Sequence, residues 1–371
     1  MAAVMLISTL SSTTTRPPRP PHAPGPPHVP SLSRPIYAIS DLHTDRVENL
    51  AWLRSERPWP ADASVACAVV AGDISHRLDV LDETLRTLAS RFARVFFVPG
   101  NHELWCQPEA HSAPTADSLA KFDAVLALCA ARGVETAPAL VGHVAVVPLF
   151  SWYDQSLALP RAALGSASPL PLRLWVDYTR CRWPSSLVAP DAPPAQDSAV
   201  CAHFLARNRP AIAAARAQMA AAAAASEGVR GVLSFSHFLP APCCLPDWCV
   251  PDAPVFDTAW LSHGAARKAG LFASVAGSTA LDAQLRSLRP DGETACEHVH
   301  VFGHSHRPKD FRLRGVRYVH NPVGKGTERE WRVLPSPAFV RLWDGNGNAV
   351  PRDRIIRYWA EVGKVTPRAA Q

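Results

Sequence analysis

Five short apolar runs in this sequence each end in side chains that can hold a metal ion, and that repeated pairing constrains the fold more than any other feature. IYAIS (36–40) runs into Asp41-Leu42-His43, and ACAVVA closes on Gly72-Asp73. VFFVP closes on Gly100-Asn101-His102-Glu103, GVLSF on Ser236-His237, and HVHVF on Gly303-His304-Ser305-His306. Short apolar runs bounded by turn residues read as buried strands. The segments between the first three carry helical patterns, which predicts parallel pairing. In an open α/β sheet the ends of the strands along one edge form the ligand crevice, so five strands would each deliver a donor to one place.

The rest of the chain continues this alternation. Helices are expected near Val47–Arg54 and over 79–92, 116–131 and 208–225, with a strand over HVAVVPLF (143–150). Residues 151–205 hold prolines and aromatics (Trp152, Trp175, Tyr178, Trp183) without a period, and are read as an insertion over the site, as is 239–269. The end reads as β-rich, with GVRYVHNP (315–322) and AFVRLWDG (338–345), and IIRYWAEV (355–362) as a surface helix in a tail over 346–371. The main domain is expected over 36–345.

Composition narrows the partners. Hydrophobic residues at 47% and charged residues at 19% indicate a globular chain. The net charge is +6, and three of the arginines lie in residues 1–40, which contain no acid. The remaining excess is too small and too dispersed for an obligate nucleic-acid binder. No apolar run approaches the ~20 residues that a membrane-crossing helix needs. Nine cysteines without regular spacing do not make a disulfide scaffold. Residues 1–35, rich in Ser, Thr, Pro and Arg, have the composition of an organelle transit peptide, with a chloroplast as the expected address and mitochondrion or cytoplasm as alternatives. A disordered proline-rich tail is the other reading of this segment.

The donor types indicate the chemistry. Carboxylate and imidazole together suit Mn, Fe or Zn, whereas Mg or Ca sites are nearly all oxygen. Residues two apart in extended backbone point the same way, which would aim Asp41 with His43 and His304 with His306. One carboxylate can bridge two ions. Glycines at 72, 100 and 303 would let the backbone turn beside the donors without a Cβ penalty.

The order D-x-H, GD, GNHE, H, GH-x-H, spanning residues 41 to 306, is similar to the calcineurin-like metallophosphoesterase superfamily, and every element is present. The resemblance implies a four-layer α/β/β/α sandwich and hydrolysis of a phosphomonoester or phosphodiester at a dinuclear centre, with a small phosphate ester as substrate. By the same resemblance Asp41, His43 and His306 would hold one ion, Asn101, His237 and His304 the other, and Asp73 would bridge them. A bridging hydroxide would be the nucleophile, with its pKa lowered by two ions ~3.5–4 Å apart. His102 would bind phosphate and assist the leaving group. An inactive scaffold on the same fold and a nuclease are the alternatives.

Two departures narrow the family. Its protein Ser/Thr phosphatases carry D-x-H-G and GDxVDRG, where this chain has DLHT and GDISHR. Its purple acid phosphatases place a tyrosine three residues after the GD aspartate, where this chain has His76, so no purple charge-transfer band is expected. ISDLHTD, VPGNHELW, PLFSWY, FSHF and GVRYV together resemble a calcineurin-like branch of plants and algae.

Other residues have blander readings. Glu103 is expected beside the centre rather than as a base, and Asp45 as a cap for the helix after it. His298 and His300 alternate along a strand and would point away from the sheet edge, as packed or exposed side chains. His76 is a further histidine that one reading brings within reach of the site and the simpler reading leaves outside it, and His320 is one that the motifs do not place. Cys243, Cys244 and Cys249 lack a fourth zinc ligand and are expected to be ordinary thiols. Trp105, Trp152, Tyr153 and Trp248 would either line a substrate pocket or pack the insertions onto the body.

Overall fold

The structure is a computed structural model. It describes residues 32–106, 115–160, 164, 166–188, 196–225, 228–246, 248–250, 255–256, 266–289, 296–351 and 354–362. All of these belong to the unit Ser31–Gln371, and residues 1–31 of the expected leader lie outside the described residues. In chain order the first elements are β1 (Pro35–Ile39), α1 (Val47–Arg54), β2 (Cys67–Ala71), α2 (Leu78–Arg91), β3 (Arg94–Val98) and α3 (Ser118–Ala131). There follow β4 (Ala139–Val141), β5 (Val144–Pro148), α4 (Asp177–Arg180), α5 (Gln196–Ala224), β6 (Gly231–Phe235), β7 (Trp248–Val250) and β8 (Val255–Phe256). The last are α6 (Ala266–Ser274), α7 (Thr279–Arg286), β9 (Glu297–Phe302), β10 (Lys309–Leu313), β11 (Val316–His320), α8 (Gly326–Glu330), β12 (Val340–Asp344) and α9 (Arg354–Glu361).

Two sheets carry the fold. One has the order β12-β1-β2-β3, and the other β10-β11-β9-β6-β5-β4. β1, β2 and β3 pair in parallel, as do β5, β6, β9 and β11, and the antiparallel strands β12, β10 and β4 lie at three of the four sheet edges. Parallel strands covered on both faces must be apolar on both, and β2 (CAVVA) and β6 (GVLSF) are buried at every position.

The period of two sorts their side chains into layers. Ile36, Val69, Phe96, Val146, Phe235 and Val299 meet between the two sheets. Ile39, Val70 and Phe97 face the other way, onto Leu81, Leu85 and Leu88 of α2 and Val125 of α3. Val147, Val232 and Phe302 face Met219 of α5, Phe272 of α6 and Leu281 of α7. The result is a four-layer α/β/β/α sandwich in which each fully buried aliphatic or aromatic side chain contributes roughly 1.5–3 kcal/mol.

Several expectations need correction. The helix expected from Asn208 begins at Gln196 and runs through Pro210, so the stretch read as an aperiodic insertion ends earlier than 205. The strand Lys309–Leu313 and the helices Ala266–Ser274 and Thr279–Arg286 carried no expectation of their own. The expected surface helix at the end buries Ile355 and Trp359 against the inter-sheet core. Trp152 and Tyr153 are 1% exposed and pack with Phe204, Phe238 and Trp183, which favours the packing role. Cys243 and Cys244 are buried free thiols, while the side chains of Trp248 and Cys249 lie outside the described residues.

Candidate metal centre

The ends of β1, β2, β3, β6 and β9 fall together at one edge where the two sheets meet. The β1 end is bonded to the β2 end through Asp41 N to Gly72 O (3.0 Å) and His43 N to Asp73 O (2.9 Å). The β9 end is bonded to the β6 end through Gly303 N to His237 O (2.8 Å). His304 N donates to Asp41 Oδ1 (2.8 Å), joining the two sheets at the site.

The aim of the side chains comes from strained turns rather than from strand alternation. Asp41, His43, Asp73, His304 and His306 all have positive φ, between 42° and 72°. Non-glycine residues seldom adopt this conformation, and such residues cluster at functional sites. Asp41/His43 and His304/His306 therefore converge by leaving the strand, which corrects the extended-backbone expectation. Among the three glycines only Gly72 has positive φ (+77°). At Gly100 a Cβ would lie 2.2 Å from Asp73 Oδ1, and at Gly303 it would lie 2.7 Å from Ala71 O. These two are required by close approach, not by turning.

All seven sequence candidates come together. Asp41, His43, Asp73 and His306 bring one donor atom each to within 4.8 Å of one another, and so do Asp73, His237 and His304. Asp73 belongs to both groups. Its Oδ2 is 3.9 Å from His43 Nε2 and its Oδ1 is 3.4 Å from His237 Nε2. Asn101 Oδ1 lies 3.1 Å from both His237 Nε2 and His304 Nδ1. His43 Nε2 and His306 Nε2 face each other at 2.9 Å. His102 stands beside the set, with Nε2 3.8 Å from Asp73 Oδ2 and its ring stacked on Trp105 at 3.6 Å.

The electrostatics suit a cation at this place. Burial would raise the Asp41 carboxyl, but a hydrogen bond with His320 and the charge of His306 outweigh it and hold Asp41 well below its usual range. Asp73 is likewise held low, against burial, by His237 and His102. Burial, with the charge of His306, pushes His43 down to about 4, and burial, with His237, pushes His304 down to about 3. His237 is pushed up to about 9, against burial, by the Asp73 carboxylate. Two anionic carboxylates thus face the neutral imidazoles of His43 and His304, while His237 is held protonated where a metal ion would supply the positive charge. This buried set is rich in acceptors, and its carboxylate–imidazole donors fit Mn, Fe or Zn.

Around these donors lies a shell that the sequence only partly revealed. Glu103 accepts from the backbone N–H of Asp73, Ile74, Ser75 and Gly100, tying the β2 loop to the β3 loop. His320, which no motif places, contacts Asp41 Oδ2 at 3.1 Å. Glu328 of α8 contacts His306 Nδ1 at 2.8 Å. Asp177, the first residue of α4, accepts from Asn101 Nδ2 (2.9 Å), Trp105 Nε1 (2.7 Å) and Trp175 Nε1 (2.8 Å). Partners of this kind fix ligand orientation. Asp177→Ala would orphan two buried donors and the half-buried indole N–H of Trp175, and it is expected to cost about 2–4 kcal/mol in urea denaturation. A loss below about 0.5 kcal/mol would contradict the role given to this carboxylate.

Asp45 does not cap α1. The N-cap is Arg46, which makes no side-chain cap bond, and the Asp45 carboxylate turns to His76 instead. His298 and His300 are buried away from the centre, both contacting Ser234 Oγ at 2.9 Å.

Comparison with known proteins agrees with this geometry. Residues 34–156 match the calcineurin-like phosphoesterase family. The chain is 28% identical over 325 residues to the acyl-carrier-protein phosphodiesterase PptH of Mycobacterium tuberculosis, covering 82% of this chain and 85% of that protein. The crystal structure of phosphopantetheinyl hydrolase (PptH) from Mycobacterium tuberculosis is similar in fold, with a TM-score of 0.54 and 24% identity over 87% of this chain and 100% of that one. Among the described residues no helix is long and apolar enough to cross a membrane. Residues 34–156 thus carry a calcineurin-like phosphoesterase domain, and with the similarity to a phosphodiesterase over most of the chain this supports a metal-dependent hydrolase of phosphoric esters.

Proposed function

We propose that the chain is a dinuclear phosphodiesterase. In this reading Asp41, His43 and His306 hold one ion, Asn101, His237 and His304 hold the other, and Asp73 joins the two. The observation that carries it is the position of Asp73, whose two oxygens face different histidines in two overlapping donor groups. Ions held there would polarise the phosphoryl oxygens and make water nucleophilic at neutral pH.

The protein's own groups do the rest. His102 N–H donates to Asp73 Oδ1 (3.0 Å), which fixes the residue at the edge of the donor set. Trp105 holds the imidazole plane by stacking. The His102 side chain is 18% exposed, so a substrate can reach it. Burial keeps His102 well below its usual pKa in the free protein, and the negative charge of an arriving phosphate favours its protonated form. Protonated, it can donate to the departing oxygen.

For the substrate we follow the relative's name: a phosphodiester that joins a phosphopantetheinyl group to a carrier protein. This widens the expectation of a small ester to one carried on a protein. Intact-protein mass spectrometry of a phosphopantetheinylated carrier protein is the test. Loss of the phosphopantetheinyl group during incubation with the metal-loaded chain is expected, and an unchanged mass beside rapid p-nitrophenyl phosphate hydrolysis would point to a monoesterase instead. His102→Ala is expected to lower kcat by about 10²–10⁴-fold with the two tightly held ions of the main centre retained. Complete loss of both of those ions in that variant would make His102 a ligand of the main centre and this assignment wrong.

A further inference from the structure

We propose that Asp45, His76 and His102 form a third divalent-cation site beside the main centre, one that inhibits the enzyme when filled. One donor atom from each lies within 4.8 Å of the other two. The three come from the ends of three neighbouring strands: Asp45 from the turn after β1, His76 from the loop after β2, and His102 from the turn after β3. The topology that assembles the main donors therefore assembles these as well.

The trio is short of hydrogen-bond partners. Asp45 Oδ1, His76 Nδ1 and His102 Nδ1 are shielded from solvent and have no hydrogen-bond partner among the described residues. Orphaned buried polar atoms are uncommon in folded proteins, and three in one cluster call for a physical reason. Asp45 Oδ2 and His76 Nδ1 are 3.5 Å apart, long for a hydrogen bond. Two ligands bound at 2.0–2.1 Å to one tetrahedral ion stand about 3.3–3.4 Å apart. For this pair the spacing is that of shared coordination, and His102 brings a donor to within 4.8 Å of both.

The surroundings fit an exchangeable site. About a fifth of each side chain remains exposed, so an ion can enter from solvent. Trp105 stacks on His102 and faces His76 at 6.0 Å, and Lys121 Nζ donates to the carbonyls of both His76 and Trp105. The walls are thus held by groups other than the donors. Two imidazoles and one carboxylate select Zn, Mn, Fe or Ni over Mg or Ca.

The inhibitory consequence rests on the reading of His102 as the leaving-group residue, because an ion on its ring removes the imidazole from that task. The site itself does not rest on that reading. The test is equilibrium zinc binding by the full chain, compared among wild type, Asp45→Ala, His76→Ala and Asp73→Asn, with turnover measured over the same zinc concentrations. Wild type is expected to bind a third, weaker equivalent and to lose activity as it fills. Both Asp45→Ala and His76→Ala should lack that equivalent and need at least tenfold more zinc for inhibition. A wild type without the third equivalent, or variants that keep it, would overturn the site. Zinc inhibition unchanged in both variants would overturn its inhibitory role. If Asp73→Asn keeps the weak equivalent whatever happens to the strong ones, the third site stands apart from the main-centre reading.

Discussion

Replacing Asp73 with asparagine is expected to lower kcat/KM on a phosphodiester by on the order of 10³-fold or more, with loss of tightly bound metal. Among the described residues the Asp73 carboxylate is the one donor that both groups share. Asparagine keeps the shape and one acceptor oxygen but offers a neutral amide nitrogen where the second oxygen stood, so it cannot serve two cations. The backbone favours this test over alanine. Asp73 has φ of 54°, and asparagine, like aspartate, is among the few non-glycine residues that tolerate that conformation. The oxygen that accepts from His102 N–H can also be kept. The fold should therefore survive while the chemistry fails. A variant with more than a tenth of wild-type turnover and undiminished metal would remove Asp73 from the bridging position.

The largest effect on stability is expected from Glu103→Ala. Glu103 is fully buried, and its carboxylate accepts from Ile74 N (2.7 Å) and Ser75 N (2.9 Å) on one oxygen and from Asp73 N (3.0 Å) and Gly100 N (2.6 Å) on the other. Burial and the neighbouring Asp73 carboxylate push its pKa up to about 7, against the N–H donors of Gly100 and Ser75. Alanine would leave four backbone donors without a partner. Each such group costs about 1–3 kcal/mol, and water entering the small cavity offsets part of that. A net loss of about 4 kcal/mol or more follows, enough to unfold a marginal domain. Glutamine is no rescue, because its NH₂ would meet two of the N–H groups head on. Urea denaturation of the metal-free protein measures this directly. A loss under about 1 kcal/mol would show that these loops hold their shape without Glu103.

The parts of the site that the sequence revealed share one property: strand and donor are adjacent in the chain. VFFVP followed by Gly100-Asn101-His102-Glu103 announces both the strand and what it delivers, and the other four strand ends do the same. Asp177 could not be read this way. Its partner Asn101 is 76 residues away, and Asp177 sits in a stretch whose aromatics show no period. A lone acid set between Trp175 and Tyr178 was the only local sign. Glu328 and His320 reach His306 and Asp41 by the same kind of long-range packing.

The early start of α5 is hidden by Pro210, which lacks an N–H and normally breaks a helix interior, so the sequence pattern places the helix start beside it. The five left-handed residues were also invisible. Aspartate and histidine at strand ends are read as extended, and only the folded loops show that the donors are aimed by positive φ.

The most direct measurement is metal content paired with turnover on the purified full chain. Two tightly held equivalents per chain are expected, with hydrolysis of bis-p-nitrophenyl phosphate that stops on chelation and returns with added Mn, Fe or Zn. A chain that holds two ions yet turns over no phosphate ester with any of these metals would be a scaffold on the same fold. Hydrolysis that persists in the metal-free protein would contradict the account outright.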